Sequence, residues 1–136
     1  MARVMVDMSA VLLHHGHIRI LKEASLLGTV VVALTSDQEI IKRKGIIPEL
    51  AFEHRKEILM AIRYVDEVVS SNWLIDNDFL LEHNINLLIH GDDNSNVVSP
   101  NKLRTIPRTT GVSTSDIRQR VLENLKRSLS NASSGR

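Results

Sequence analysis

RVMVDMSAVLLHHGHIRILKEASLLGTVVVAL, Arg3 to Leu34, reads as strand, loop, helix and strand in that order. Arg3–Asp7 is a short β-rich run. His17–Leu27 has Ile18, Leu21, Ala24 and Leu27 at helical spacing on one face, the stripe an amphipathic helix buries. Gly28 is placed to cap its end. Thr29–Leu34 (TVVVAL) is almost wholly apolar, as a strand covered on both faces of a parallel sheet must be.

The rest of the chain repeats the alternation. Glu53–Arg63 predicts a helix with Ile58, Leu59 and Ile62 inward, and Val65–Val69 a strand. Asp76–His83 predicts a helix, Asn86–His90 and Leu103–Ile106 two more strands, and Ser113 or Thr114 the cap of a last helix reaching about Lys126. Lys42–Pro48 reads as a basic loop punctuated by Gly45 and Pro48. Strands alternating with helices predict an α/β fold: a Rossmann-like, doubly wound, parallel five-stranded sheet. Residues 1–127 form its one domain, and the Ser-, Asn- and Gly-rich residues 128–136 are expected to be a disordered tail or linker.

Composition narrows the function. With 136 residues the chain can bury a core unaided, and 43% hydrophobic and 24% charged residues are ordinary for a globular protein. It has no cysteine, hence no disulfide and no thiolate metal site. Net charge is +1, which speaks against a nucleic-acid partner; the aromatics Phe52, Tyr64, Trp73 and Phe79 are too few for a stacking platform. Met1–Asp7 is too short and too charged for a signal core, and no apolar run reaches membrane-spanning length. The expectation is a cytoplasmic protein with a small anionic ligand.

In doubly wound sheets, ligands bind beyond the carboxyl ends of the strands, and the polar clusters fall in those loops. His14-His15-Gly16-His17 joins the first strand to the first helix. Free N–H groups there attract phosphate, Gly16 leaves a phosphate room to approach the backbone, and His14 and His17, three apart, can aim at one charge developing on a phosphorus centre. The competing reading is an exposed His-rich turn or a metal site, for which only the scattered His54, His83 and His90 remain as further imidazole ligands. Lys42 and Lys44 could neutralise a triphosphate or an acceptor phosphate, or simply face water. Arg108-Thr109-Thr110-Gly111-Val112-Ser113-Thr114-Ser115 runs from a strand end into a helix start, an anion site with an arginine fork or an ordinary cap. Gly91-Asp92-Asp93 is a turn that could also hold Mg²⁺, orient an arginine or accept from a base amino group. Arg55, Arg63, Asp66 and the single Trp73 complete the set; a lone tryptophan belongs more often to a core than to a ligand.

Taken together, His14-His15-Gly16-His17, Lys42/Lys44, Glu53-His54-Arg55-Lys56, Arg63 to Val68, Asn72-Trp73, Gly91-Asp92-Asp93 and Arg108 to Thr114 resemble the cytidylyltransferase family, above all the glycerol-3-phosphate cytidylyltransferases. The resemblance runs over about residues 3–120, and the His-x-Gly-His element is similar to that of the wider nucleotidyltransferase superfamily, adenylyltransferases included. It implies transfer of CMP from CTP with Mg²⁺ to a phosphate or phosphonate acceptor, with release of pyrophosphate. His14, His17 and Lys44 would be catalytic. Ser9, Ala10, His14 to His17, Lys44, Arg63, Gly91, Asp92, Arg108, Thr109, Gly111, Val112, Ser113, Thr114 and Ser115 would bind the nucleotide, and Lys42, Arg55 and Trp73 the acceptor. No protein side chain is assigned to a metal, and a homodimer is implied.

Three departures concern the acceptor side. Met8-Ser9-Ala10-Val11 stand where the family has Gly-Thr-Phe-Asp; Leu74-Ile75-Asp76 lack the lysine expected after Asn-Trp; and Asn94-Ser95-Asn96 replace an aromatic, charged continuation. The altered first loop is similar to that of cytidylyltransferase domains accompanying phosphoenolpyruvate mutase in phosphonate pathways. That similarity implies hydroxyethylphosphonate, aminoethylphosphonate or a phosphoalcohol as acceptor. An ATP-using adenylyltransferase of the same superfamily, and a non-catalytic nucleotide-binding domain lacking the first-loop carboxylate at Val11, are the competing functions.

Overall fold

The computed structural model describes residues 1–133. The elements run β1 (Arg3–Met8), α1 (His15–Ser25), β2 (Thr29–Thr35), α2 (Asp37–Lys44), α3 (Phe52–Met60), β3 (Glu67–Ser71), α4 (Asn77–Glu82), β4 (Leu87–Gly91), a 3₁₀ turn (Pro100–Lys102), β5 (Leu103–Ile106) and α5 (Thr114–Ser133). All strand pairs are parallel and the sheet order is β3-β2-β1-β4-β5. Strand order therefore reverses between β1 and β4, the switch point where such sheets open a crevice. The Rossmann-like five-stranded sheet is as the sequence predicts.

Pleat alternation sorts the core into two layers. Val4, Val6, Val30, Val32 and Leu34 pack with Leu21 and Ala24 of α1 and Leu59 of α3. Met5, Val31, Ala33 and Leu88 pack on the opposite face with Leu80 of α4, Ile75 and Ile85. The two layers make the sheet doubly wound. Among the described residues no helix is long and apolar enough to cross a membrane.

Several sequence expectations need correction. Lys42–Lys44 is the last turn of α2, not loop. The helix is capped by Ser36 and anchored by one buried residue, Ile40, so it shows no apolar stripe. β3 starts at Glu67, two residues later than expected, because Asp66 interrupts the ladder: its carboxylate accepts from Val30 N at 2.8 Å. In α3, Leu59 is buried but Ile58 is exposed; the other buried residue is Arg55. α1 begins at His15 and its C-cap is Leu26, not Gly28. Gly28 is needed for another reason: a Cβ there would collide with the Ala2 carbonyl oxygen, which accepts from Thr29 N as β2 begins. Finally, α5 continues through Ser133, where a disordered tail was expected from Ser128. The run Ser128–Ser133 contains neither glycine nor proline to stop it. Residues 134–136 of that expected tail lie outside the described residues.

Candidate active site

A cleft of about 1130 Å³ opens over the carboxyl ends of β1, β2 and β4, large for a small-ligand pocket and enough for a nucleotide with a second substrate. Its wall is built on the N-terminus of α1. His14 is the N-cap: its Nδ1 accepts from Gly16 N at 3.1 Å, and His17 Nδ1 accepts from His14 N at 3.1 Å. The two imidazoles thus form a reciprocal capping box, the role usually taken by Ser/Thr and Glu. A backbone N–H only donates, so both rings carry their proton on Nε2. Each keeps an Nε2–H donor free of these capping bonds, and both residues line the cleft.

Gly16 has a different role from the one expected. A Cβ there would lie 2.8 Å from His14 Cε1 and 2.9 Å from its Nδ1. The His14 imidazole that caps the helix takes the space a side chain at residue 16 would need, and Gly16 itself lies on the cleft lining.

The pair is neutral. Burial, then the neighbouring His14, pushes His17 down to about 4. Burial, then the nearby His15 and Arg108, lowers His14 as well. The rings lie 4.0 Å apart, too close for two imidazolium charges. The consequence for stability has a definite sign. Between pH 6.5 and 4 the unfolded chain takes up a proton at residue 17 that the folded chain refuses. The stability tied to this ring is therefore complete above pH 6.5 and is lost as pH falls through about 4. The loss is up to about 3 kcal/mol. Denaturant titrations across that range should show a steeper decline for the parent than for His17→Asn; parallel curves would contradict the assignment.

The opposite wall is the N-terminus of α5. Ser113 Oγ accepts from Asp116 N at 3.1 Å, so Ser113 is the cap, and Thr109, Val112, Thr114 and Ser115 line the cleft beside it. Arg108 also lines it, with Nη1 3.4 Å from Asp93 Oδ2. Lys44 reaches in from α2, its Nζ 5.4 Å from the centroid of the Trp73 ring. Two helix N-termini, two imidazole donors, an arginine and a lysine converge on one space, as a triphosphate requires.

The cleft therefore gathers Ser9, His14, Gly16, His17, Lys44, Trp73, Gly91, Arg108, Thr109, Val112, Ser113, Thr114 and Ser115. It does not gather the rest of the expected set. Ala10 is buried beneath it in the left-handed region, φ 46°. His15, Lys42, Asp92 and Gly111 are exposed outside its lining; Asp93, not Asp92, faces in. Arg63 is exposed away from it, with Nη2 on Tyr64 Oη at 3.2 Å. Arg55 is corrected most firmly. It is 1% exposed, and its guanidinium donates to the carbonyls of Leu50, Ser9 and Thr35 and to Asp37 Oδ1. It shapes the first loop from behind and cannot reach an acceptor.

Sequence reasoning missed Asp7, His90 and Asn96, all on the cleft lining. His90 Nδ1 meets Asp7 Oδ1 at 2.5 Å, and Asn96 Nδ2 donates to Asp7 Oδ2 at 2.9 Å. Burial alone would lower His90, but the Asp7 hydrogen bond and charge, helped by Asp93, outweigh it and raise it. The available signal was positional: Asp7 and His90 stand at the ends of the two strands that flank the switch point.

Fold and site together define a nucleotidyltransferase. A cytidylyltransferase-like family model matches residues 12–120. Glycerol-3-phosphate cytidylyltransferase of Bacillus subtilis (strain 168) is 36% identical over 115 residues, covering 81% of this chain and 89% of that protein. Ethanolamine-phosphate cytidylyltransferase of Arabidopsis thaliana is also 36% identical, over 88% of this chain, which spans about a third (32%) of that protein's length. A solved lipopolysaccharide core biosynthesis protein from Thermoplasma volcanium GSS1 superposes with TM-score 0.67 over 80% of this chain and 98% of its own, at 23% identity, and so speaks for the fold. The chain belongs to the cytidylyltransferase-like family, an enzyme family of CTP-dependent nucleotidyltransferases.

Proposed function

We propose that this protein transfers CMP from CTP to a small acceptor bearing a phosphate or phosphonate group. An acceptor oxygen attacks the α-phosphorus, the bond to the bridging oxygen breaks, and pyrophosphate leaves. The observation that carries the reading is the neutral His14/His17 pair, each ring with its Nδ1 engaged and its Nε2–H left as a donor, on the lining of a cleft flanked by two helix N-termini. Phosphoryl-type transfer asks mainly for positioning and for donors where negative charge grows. Arg108 and the capped start of α5 would take the triphosphate, and Lys44 the charge between nucleotide and acceptor. Among the described residues no three His, Asp or Glu side chains are gathered as a metal cage. Mg²⁺ would enter on the triphosphate itself, as is usual for this ion, and would neutralise the leaving pyrophosphate.

The relatives' names include acceptors with a hydroxyl end and acceptors with an ammonium end. A phosphonate acceptor is supported by the altered first loop Met8–Val11 and by Leu74-Ile75-Asp76 after Trp73. A homodimer in the cytoplasm belongs to the same reading, and sedimentation tests its assembly.

Pyrophosphate release decides the matter. Purified protein with Mg²⁺ and CTP should release it with at least one acceptor among glycerol phosphate, ethanolamine phosphate, choline phosphate, hydroxyethylphosphonate and aminoethylphosphonate. Arg108→Ala should weaken CTP by about tenfold or more. Release with ATP alone would point to adenylyl transfer, and CTP binding without turnover on any acceptor to a nucleotide-binding domain.

A further inference from the structure

We propose that the cleft selects acceptors whose far end is a neutral hydroxyl and rejects those ending in ammonium. This rests on the CMP-transfer reading and sharpens it to a substrate class.

With the nucleotide on the α1 and α5 N-termini, in-line attack brings the acceptor to His14 and His17 from the side opposite the leaving pyrophosphate. The floor between Trp73 and the ends of β1 and β4 shares the cleft lining with His14 and His17, and the acceptor is assigned to it. One hydrogen-bonded chain builds it: Ile75 N donates to Asn96 Oδ1 at 2.6 Å, Asn96 Nδ2 to Asp7 Oδ2 at 2.9 Å, and Asp7 Oδ1 meets His90 Nδ1 at 2.5 Å. His90 Nε2 then lies 3.5 Å from Asp93 Oδ1, and Asp93 Oδ2 lies 3.4 Å from Arg108 Nη1.

The floor contains a carboxylate, which by itself would attract a cation. Both oxygens of Asp7 are already partnered, however, and His90 sits between two carboxylates that favour its protonated form. Two acids and two bases then balance. Within the Asp7–His90 pair the more exposed member is the cation, His90 at 23% against Asp7 at 9%, and the open carboxylate of Asp93 lies between His90 and Arg108. Lys44 adds a further positive charge on the cleft lining. An ammonium arriving at this floor meets an imidazolium edge and two carboxylates that are each already paired, so its desolvation is not offset there. A hydroxyl both donates and accepts. It can accept a hydrogen bond from His90 without adding charge.

The test is a ratio of kcat/KM for matched hydroxyethyl and aminoethyl acceptors, measured as phosphate esters and as phosphonates with saturating Mg²⁺ and CTP. The parent protein should favour hydroxyl by about tenfold or more in both series. His90→Met leaves Asp7 a buried carboxylate with one partner, and should move the ratio toward the amine by about tenfold. His90→Gln, which keeps a hydrogen bond while removing the charge, should move it the same way and serves if the first variant folds poorly. A merely structural His90 would slow both acceptors alike. A parent preference for the amine, or a ratio that neither variant moves, overturns the inference. Turnover on no acceptor of either kind overturns CMP transfer itself, and this inference with it.

Discussion

His17→Ala is expected to lower kcat/KM for CTP by about 10²–10³-fold, the usual effect of deleting one preorganised donor at a centre of growing charge. The ring is fixed before substrate arrives. His14 N pins Nδ1, so the proton sits on Nε2 of a ring held on the cleft lining, and the depressed pKa keeps the ring a neutral donor near pH 7. The same substitution removes half of the capping box, which costs about 1 kcal/mol. The two effects separate with His17→Asn, whose amide oxygen can still accept from His14 N while its short side chain cannot replace Nε2–H. Both variants should lose turnover to similar extents, and His17→Asn should melt close to the parent. Turnover within a few-fold of the parent in either variant would remove His17 from the reaction.

What could be read in advance follows a physical line. β2 and β4 were legible because a strand buried on both faces must be apolar nearly throughout: Thr29–Thr35 has six of its seven residues buried. The loops that open α1 and α5 were legible because His14, His17 and Ser113 make their capping bonds within three residues of their own helix starts. α2 was not, since one buried isoleucine among seven polar or exposed residues leaves no periodic stripe. Asp7 and His90 are 83 residues apart; only strand order brings them together, and each alone resembles an ordinary surface residue. Arg55 was misassigned for the opposite reason. A charged residue on a helix is read as facing water or ligand, and only its four acceptors explain why it can be buried.

That burial makes Arg55→Met the variant with the largest expected effect on stability: a loss of about 3–5 kcal/mol, the cost of breaking a buried ion pair by removing one partner. The melting temperature should fall by about 10–15 °C. The guanidinium joins four separate pieces of chain. Ser9 belongs to the loop after β1, Thr35 to the end of β2, Asp37 to the start of α2 and Leu50 to the loop before α3. Methionine fills much of the volume but leaves these carbonyls without their donor and Asp37 with only the Phe52 N–H at 3.2 Å. Lysine restores the charge but not the planar fork, so Arg55→Lys should recover part of the stability and not all of it. The functional consequence is indirect and has its own signature. Ser9 follows β1 directly and Thr35 lies at the end of β2, both on the cleft lining and on the side proposed for the acceptor, whereas His14 and Ser113, proposed to face the nucleotide, are held by their own helix starts. Assayed well below its melting point, Arg55→Lys should therefore raise KM for the acceptor more than KM for CTP. A melting temperature within a few degrees of the parent for Arg55→Met, or equal rises in both KM values for Arg55→Lys, would show that the first loop keeps its shape without this arginine.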